Sequence, residues 1–186
     1  MTSQIPVNGV NAEALGSFIE NVKSNPDMAK ATFSVKTAWE GTGFKVISTG
    51  KDFRIGGHQI QRDNGFTLQS DFPQQMGGRN DGPTVCETCI ASIATCVTQT
   101  IVAYATMMGV QLDRIEINTE GDIDIRGFSG ISENVRPGAQ ELRIKVHLES
   151  KSATNDQLEK LYEIGKRFSP AMDTITQGTV IKTSLV

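Results

Sequence analysis

Apolar residues follow two different spacings along this chain, and each spacing predicts one kind of element. Behind the helix-capping residue Asn11, four apolar residues stand at helical spacing: Leu15, Phe18, Ile19 and Val22. This spacing predicts a helix that ends at Asn25-Pro26, followed by a linker over residues 26–30.

The following stretch has the period of two that is typical of β-strands. Alternating residues on either side of the turn Gly41-Thr42-Gly43 predict a β-hairpin: Phe33, Val35, Thr37 and Trp39 before the turn, Phe44 and Val46 after it. Two further strands are predicted over residues 53–61 and 66–69, with breaks at Gly56-Gly57 and Asp63-Asn64-Gly65.

The second half of the chain returns to strands and then to helices. Two alternating runs predict strands: Ile115, Ile117, Ile123 and Ile125 in the first, Leu142, Ile144, Val146 and Leu148 in the second. An amphipathic helix is predicted over 154–167, a short helix with Ser169 as N-cap and Pro170 at its first position, and a last strand over 179–185. Because strands and helices come in blocks, the predicted class is α+β with mainly antiparallel sheets.

Between these halves lies a long helix, predicted over about 84–108 and ending at Gly109. The run 88–112 carries no charge, but eight of its side chains are polar and would be poorly satisfied in hydrocarbon. The run therefore predicts a buried helix and no membrane span. Its two sides differ, with an apolar face (Cys86, Ile90, Ile93, Val97, Tyr104, Met108) and a face of small residues (Thr88, Ala91, Thr95, Thr98, Val102, Thr106). A helix without a charged face needs cover on nearly every side, and a second subunit would supply it.

Composition narrows the function classes. The chain has 186 residues, 38% apolar and 21% charged, which is typical of a soluble globular protein of one domain or one domain with an appendage. A net charge of −3, with no block of Lys or Arg, argues against a nucleic-acid partner. Three cysteines are too few for a secreted disulfide scaffold, and residues 1–11 do not have the pattern of a signal peptide, so a cytoplasmic location is expected.

The cysteines are the main candidates for chemistry. Cys86 and Cys89 form a CxxC at the start of the long helix, where free N–H groups and the helix dipole would favour a thiolate at Cys86. Such a pair is typical of redox dithiols. It is also half of a zinc site, but no second CxxC exists, and no metal or cofactor is predicted. Alternatively, Cys86, Cys89 and Cys96 are small core residues, and Cys89 in particular is expected to be buried.

Several short motifs resemble, in their order, the OsmC/Ohr family of osmotically inducible and organic-hydroperoxide-resistance proteins. These motifs are Ser70-Asp71-Phe72-Pro73, Gly77-Gly78, Asp81-Gly82-Pro83, Ile93-Ala94-Thr95-Cys96, Asp124-Ile125-Arg126-Gly127, and Ser169-Pro170 before Asp173-Thr174. The resemblance covers about residues 36–186. Two regions are therefore expected, an N-terminal helical extension (1–30) and an OsmC-like domain (31–186). The resemblance implies an intertwined homodimer with antiparallel sheets from both chains wrapped around each long central helix.

The resemblance also implies a set of site residues. In peroxidase members a cysteine at the position of Cys96 attacks the peroxide, and a second cysteine before a proline resolves the oxidised sulfur. Here Ser169 stands at that second position and cannot form a disulfide. The family glutamate at the start of the helix falls on Cys86, with Glu87 one place away. Arg54 is a candidate for the family arginine, as are Arg62 and Arg79.

Three functions remain open at this point. The first is a thiol protein that reduces organic hydroperoxides through Cys96, a thiol-dependent peroxidase whose partners would be a small hydroperoxide and an external thiol. The second is a non-catalytic protein of this fold that binds a small hydrophobic ligand at the dimer interface. The third is a redox-responsive protein that uses Cys86 and Cys89. Within one helix Cys89 cannot resolve Cys96, because seven residues rise about 10.5 Å and a disulfide needs Cα atoms within roughly 7 Å.

Overall fold

The computed structural model describes residues 6–185, and its elements follow the predicted blocks. In this range the α-helices are α1 (Ala12–Ser24), α2 (Val85–Met107), α3 (Ile125–Phe128), α4 (Asn155–Phe168) and α5 (Pro170–Gln177). The strands are β1 (Ala31–Phe33), β2 (Lys36–Trp39), β3 (Val46–Gly50), β4 (Phe53–Ile55), β5 (His58–Ile60), β6 (Phe66–Ser70), β7 (Arg114–Asp122) and β8 (Glu141–Glu149). Short 3-10 turns lie at Val7–Gly9, Pro26–Ala29 and Gln74–Met76.

The chain divides into two compact units. The residues Glu13–Thr88 form the first, called here the sheet unit. The chain up to Ala12 and from Cys89 onward forms the second, called here the helix–ribbon unit. The chain passes between the two units twice, in α1 between Ala12 and Glu13 and in α2 between Thr88 and Cys89.

The sheet unit contains two three-stranded antiparallel sheets. Their strand orders are β1-β4-β5 and β2-β3-β6. The predicted hairpin is confirmed by the β2–β3 pairing, in which Trp39 faces Val46 across the turn. Gly56-Gly57 is the turn between β4 and β5, both with positive φ, as the sequence predicts.

The helix–ribbon unit is built on a long two-stranded ribbon. Strands β7 and β8 pair antiparallel over their full nine residues, with Ile117 opposite Val146. Their apolar side chains contact the core, and their charged side chains point to solvent because successive residues of a strand alternate between its faces.

The apolar core of the described residues lies within this unit. It is formed by one face of α2, by α4 and by the loop after α2, and its buried members are Ile93, Val97, Ile101, Ala105, Val110 and Leu161. Helix α4 approaches α2 closely at Gly165, where an added Cβ would lie 2.6 Å from Cγ1 of Ile101. A hydrogen is therefore the largest substituent that this crossing accepts without movement.

The two C-terminal helices begin as the sequence predicts. Thr154 and Gln157 form a capping box at the start of α4, and Ser169 is the N-cap of α5, with Pro170 at its first position. Near the other end of the chain, Asn8 binds the turn after α2. Its side-chain Nδ2 donates to the carbonyl of Val110 (2.9 Å), and its Oδ1 accepts from the backbone N–H of Leu112 (2.8 Å). The domain boundary near residue 30 stays a prediction, and residues 1–5 of the extension lie outside the described range.

Three local predictions were wrong. The alternating run 33–39 is not one strand. Strand β1 ends at Phe33 and β2 begins at Lys36, and the two strands belong to different sheets. Ile125 does not continue β7. Asp124 caps the backbone N–H of Arg126 and starts the short helix α3 instead. The run 179–185 forms no strand, since none of the described strands pairs with it, and Val180 and Ile181 are exposed.

The sheet unit has no apolar core of its own in this single chain. Its buried residues within the described range are Gly50, Ser70 and Asp71, and none of them carries a large apolar side chain. Large apolar residues of the same unit are exposed: Phe18, Phe33, Val35, Trp39, Phe44, Ile60, Phe66, Leu68 and Val85. Phe33 is 66% and Trp39 62% accessible, so the sheets present apolar faces that residues 6–185 leave uncovered.

Candidate functional site

Cys96 lies near the middle of α2 and is partly exposed. Its Sγ atom accepts a hydrogen bond from the backbone N–H of Ala171, with 3.4 Å between nitrogen and sulfur. This N–H belongs to the first turn of α5, where backbone N–H groups have no partner within the helix. The structure therefore sets the sulfur of Cys96 against the positive end of a second helix.

Ser169 defines the start of that helix. Its extended backbone (φ −75°, ψ 116°) leads into Pro170, and its Oγ accepts from the N–H of Met172 at 3.4 Å. Its exposed fraction is 0%, so this hydroxyl is completely enclosed. The N-cap role follows from the Ser-Pro pair, but the contact with Cys96, 75 residues away in sequence, could not be read from local pattern.

All three cysteines are free thiols in this structure, and one of them is more exposed than predicted. Cys89 is exposed in the single chain, which corrects the expectation that it is a core residue. Cys89 lies on α2 but outside the buried face of that helix, which contains Ile93 and Val97. Cys86 is exposed as well.

Glu87 is engaged in the cap of α2. The backbone N–H and the hydroxyl of Thr84 both donate to Oε2 of Glu87 at 2.8 Å, and the N–H of Glu87 donates to Oγ1 of Thr84 at 3.2 Å. The bonds from the backbone and then the hydroxyl of Thr84 hold the pKa of Glu87 below its ordinary value, against a smaller opposing effect of burial. Glu87 is thus an ionised capping residue in this structure.

The candidate arginines lie in the sheet unit. Arg54 is exposed on β4, opposite Thr32 and Gln59. The guanidinium of Arg62 lies over the ring of Phe53, 5.0 Å from its centroid. Since Cys86 and Glu87 belong to this same unit and Cys96 to the other, their grouping around Cys96 stays a prediction.

Asp71 organises a loop of the sheet unit, a role that was not predicted from the sequence. Asp71 is 3% exposed, and its carboxylate accepts from the backbone N–H groups of Phe72 (2.8 Å), Arg79 (3.0 Å) and Asp81 (3.3 Å). Burial raises the pKa of Asp71, but the hydrogen bonds from the N–H groups of Arg79, Phe72 and Asp81, together with the positive charge of Arg79, hold it below its ordinary value. An aspartate before a Gly-rich loop is the signal that could have identified this role.

The loop that Asp71 holds runs beside an apolar cavity. At Gly78 an added Cβ would lie 1.8 Å from the carbonyl oxygen of Phe72, so the loop can close only with glycine there. The cavity has a volume of about 230 Å³ and is lined by Phe44, Val46, Ser70, Asp71, Phe72 and Val85. Over the described residues, no group of three or more His, Cys, Asp or Glu side chains is placed to hold a metal ion.

Comparison with solved structures identifies the fold. A putative osmotic stress induced and detoxification response protein from Psychrobacter arcticus aligns with a TM-score of 0.57 and 12% identity, over 77% of this chain and 88% of that one. The OsmC like protein from Mycoplasma pneumoniae aligns with 0.56 and 14% identity, over 79% and 88%. An organic hydroperoxide resistance protein OsmC from Legionella pneumophila gives 0.51 and 16%, over 77% and 88%. At these identities the likeness shows the fold alone.

The long central helix, the antiparallel sheets and the partly exposed Cys96 define an α+β thiol protein of the OsmC-like fold, which is a soluble domain. The model of the OsmC-like protein family matches residues 78–184, more than half of the chain, and the chain belongs to that family. No curated protein sequence matches it. Helix α2 is long and apolar enough to cross a membrane, but in this fold it carries the core residues.

Proposed function

We propose that this protein reduces organic hydroperoxides through Cys96 and uses an external small thiol as its reductant. The observation that carries the proposal is the contact of the Cys96 sulfur with the Ala171 N–H, beside a serine that cannot form a disulfide. A partly exposed sulfur against the first turn of a helix is the kind of environment in which reactive cysteines are found. Family membership and a fold shared with a protein named for organic hydroperoxide resistance support the same assignment.

The proposed reaction has three balanced steps. The Cys96 thiolate attacks the terminal oxygen of the hydroperoxide, so that a sulfur–oxygen bond forms and the oxygen–oxygen bond breaks, and the released alkoxide takes up the proton that the thiol lost and leaves as the alcohol. An external thiol then attacks the sulfenic sulfur and releases water, which leaves a mixed disulfide on Cys96. A second external thiol displaces Cys96 as a thiol and leaves as the disulfide of the donor.

The other predicted site residues enter as parts of this proposal. Glu87 would act by fixing the first turn of α2 through its bonds to Thr84. Cys86 and Arg54 are exposed in the single chain and would act on Cys96 only in the assembled protein. If Arg54 assists the reaction, Arg54→Gln will lower the rate of Cys96 oxidation.

We also propose that the functional form is a homodimer in the cytoplasm. The support is the uncovered apolar surface of the sheet unit, together with the exposed positions Ala91 and Thr95 on the small-residue face of α2. Faces of this kind are unfavourable in water unless another surface covers them. The three free thiols agree with a reducing compartment.

The deciding experiment is an assay of organic hydroperoxide consumption with a small dithiol as donor. Wild type should turn over, Cys96→Ser should be inactive, and Cys89→Ser should retain turnover. If Cys86 assists Cys96, Cys86→Ser will lower the turnover without abolishing it. An inactive wild type would favour the alternative of a non-catalytic protein that binds a small hydrophobic ligand at the dimer interface.

The same variants test the redox-responsive alternative. It is favoured by one observation, that Cys86 and Cys89 are both exposed and three residues apart on a helix. Rapid joint loss of these two thiols on mild oxidation, with Cys96 unaffected, would support that alternative over a peroxidase.

A further inference from the structure

The hydroxyl of Ser169 is an enclosed donor without an acceptor. A serine hydroxyl can donate one hydrogen bond and accept two. Among the described residues, Ser169 accepts from the N–H of Met172 and donates to no protein acceptor. With an exposed fraction of 0%, it cannot donate freely to bulk water either. An unused donor in such a place is unfavourable and indicates that an acceptor is present in another state of the protein.

The sulfur of Cys96 lies at the same helical turn. Ala171 and Met172 are consecutive residues, and the N–H of the first points to the Cys96 sulfur while the N–H of the second points to the Ser169 hydroxyl oxygen. The sulfur and the hydroxyl are thus both bound to the first turn of α5. A thiol sulfur is a weak acceptor, whereas an oxygen atom attached to it is a strong one.

We propose that Ser169 and the Ala171 N–H hold the oxygen that Cys96 gains on oxidation, so that the serine stabilises the sulfenic acid. This inference rests on the proposed function, which supplies the organic hydroperoxide as oxidant. The oxidation adds one oxygen to the sulfur and releases an alcohol, and that oxygen accepts from the Ser169 hydroxyl and from the Ala171 amide. Ser169 is a positioning residue here. It cannot form a disulfide with the oxidised Cys96, but it stabilises the sulfenic acid until an external thiol reduces it.

The experiment measures the lifetime of the sulfenic acid. In a Cys86→Ser, Cys89→Ser background Cys96 is the only thiol, and one equivalent of cumene hydroperoxide oxidises it. Dimedone is added after increasing delays, and mass spectrometry quantifies its adduct on Cys96. Because one hydrogen bond is lost, we expect Ser169→Ala to shorten the lifetime by about five- to tenfold. Ser169→Thr keeps a hydroxyl and should restore the parent lifetime.

Two further variants separate this role from that of a helix cap. Ser169→Gly removes the hydroxyl but keeps a residue that is tolerated at an N-cap, so it remains informative if Ser169→Ala fails to fold. Thr154→Ala removes the equivalent cap from α4 and should leave the lifetime unchanged. Equal lifetimes for the parent and Ser169→Gly would overturn the inference alone. A parent that forms no adduct would overturn both the inference and the proposed function.

Discussion

The two units of this chain carry similar apolar residues but bury them very differently. In the helix–ribbon unit Ile93, Ile101 and Leu161 are completely enclosed. In the sheet unit Phe33 and Trp39 are mostly exposed, although their strands are well paired. Strand pairing therefore does not by itself bury apolar side chains. Within one chain, the strands of the sheet unit are paired, but their large apolar side chains stay exposed.

The reason lies in what each unit can pack against. Helix α2 and helix α4 place apolar faces on each other and on the β7–β8 ribbon, which closes a core. The strands of the sheet unit are short, and helix α1 has no fully buried residue. Small sheets of this kind are marginal in water without a packed face. The difference makes the sheet unit the part of the molecule that the proposed dimer would cover.

The largest expected effect tests whether a second chain covers the sheet unit. We expect a homodimer at micromolar concentration in sedimentation velocity, and Trp39→Ala should weaken it and lower the free energy of unfolding by about 3 kcal/mol, as for a buried aromatic residue. If the side chain were exposed in the functional form, the change would stay within about 0.5 kcal/mol.

Trp39→Phe is the matched control for this prediction. It removes the hydrogen bond from Nε1 to the carbonyl of Gly43 (3.0 Å) but keeps an apolar ring. It should retain the dimer. A folded, stable monomer of the wild-type chain would contradict both the prediction and the proposed assembly.

The next effect concerns the packed unit. Gly165→Ala places a Cβ 2.6 Å from Cγ1 of Ile101, so α4 or Ile101 must move, and we expect a loss of about 1–3 kcal/mol in chemical denaturation. Gly16→Ala is the control, because no atom lies within 4 Å of its added Cβ in α1. That change should be neutral or stabilising by up to about 1 kcal/mol. Equal effects at the two glycines would show that α4 does not pack on α2 as described.

Local sequence signals predicted the elements well where the cause is itself local. The N-cap at Ser169 and the hairpin opposite Trp39 depend on neighbours a few residues away, and both were predicted. Two of the three failures have long-range causes, whereas the failure at Ile125 is local, because Asp124 caps the backbone N–H of Arg126. The run 179–185 alternates like a strand, but a strand needs a pairing neighbour, and alternation does not say whether the same chain supplies one.

The predictions for the candidate site also depend on whether the cause is local or long-range. Cys96 was predicted from the order of motifs, and the start of α5 from Ser169-Pro170. The contact between the Ala171 N–H and the Cys96 sulfur depends on how α5 packs against α2, and the spacing of residues in the sequence does not predict that packing. The capping role of Glu87 could have been read from its spacing to Thr84, since a Thr followed three residues later by Glu is the signature of a capping box.

A third, smaller effect tests the loop of the sheet unit through pH. The pKa of Asp71 lies below its ordinary value of 3.8 in the folded chain, so its carboxylate stabilises the fold above that pH. This contribution should be lost as the pH falls from about 3.8 through the lower pKa of the folded state, because in that range the unfolded chain binds a proton that the folded carboxylate does not. Asp71→Asn should flatten the pH dependence of the urea midpoint in that window. An unchanged acid profile in the variant would show that the three N–H contacts do not depend on the charge.

The smallest expected change in stability comes from Ser169→Cys, which places a second thiol at the N-cap of the helix whose first turn contacts the Cys96 sulfur. Because the Ala171 amide already contacts the Cys96 sulfur at 3.4 Å, we expect oxidation to link residues 96 and 169 and to raise peroxidase turnover with a dithiol donor. Both residues belong to one unit, so the link should form within a chain whatever the state of the sheet unit. Peptide mapping under non-reducing conditions identifies the linked pair, and Thr154→Cys, at the cap of α4, is the control that should remain a free thiol. If the introduced thiol stays free after oxidation, then α5 does not hold residue 169 close to the sulfur, and the proposed storage of the sulfenic acid loses its geometric basis.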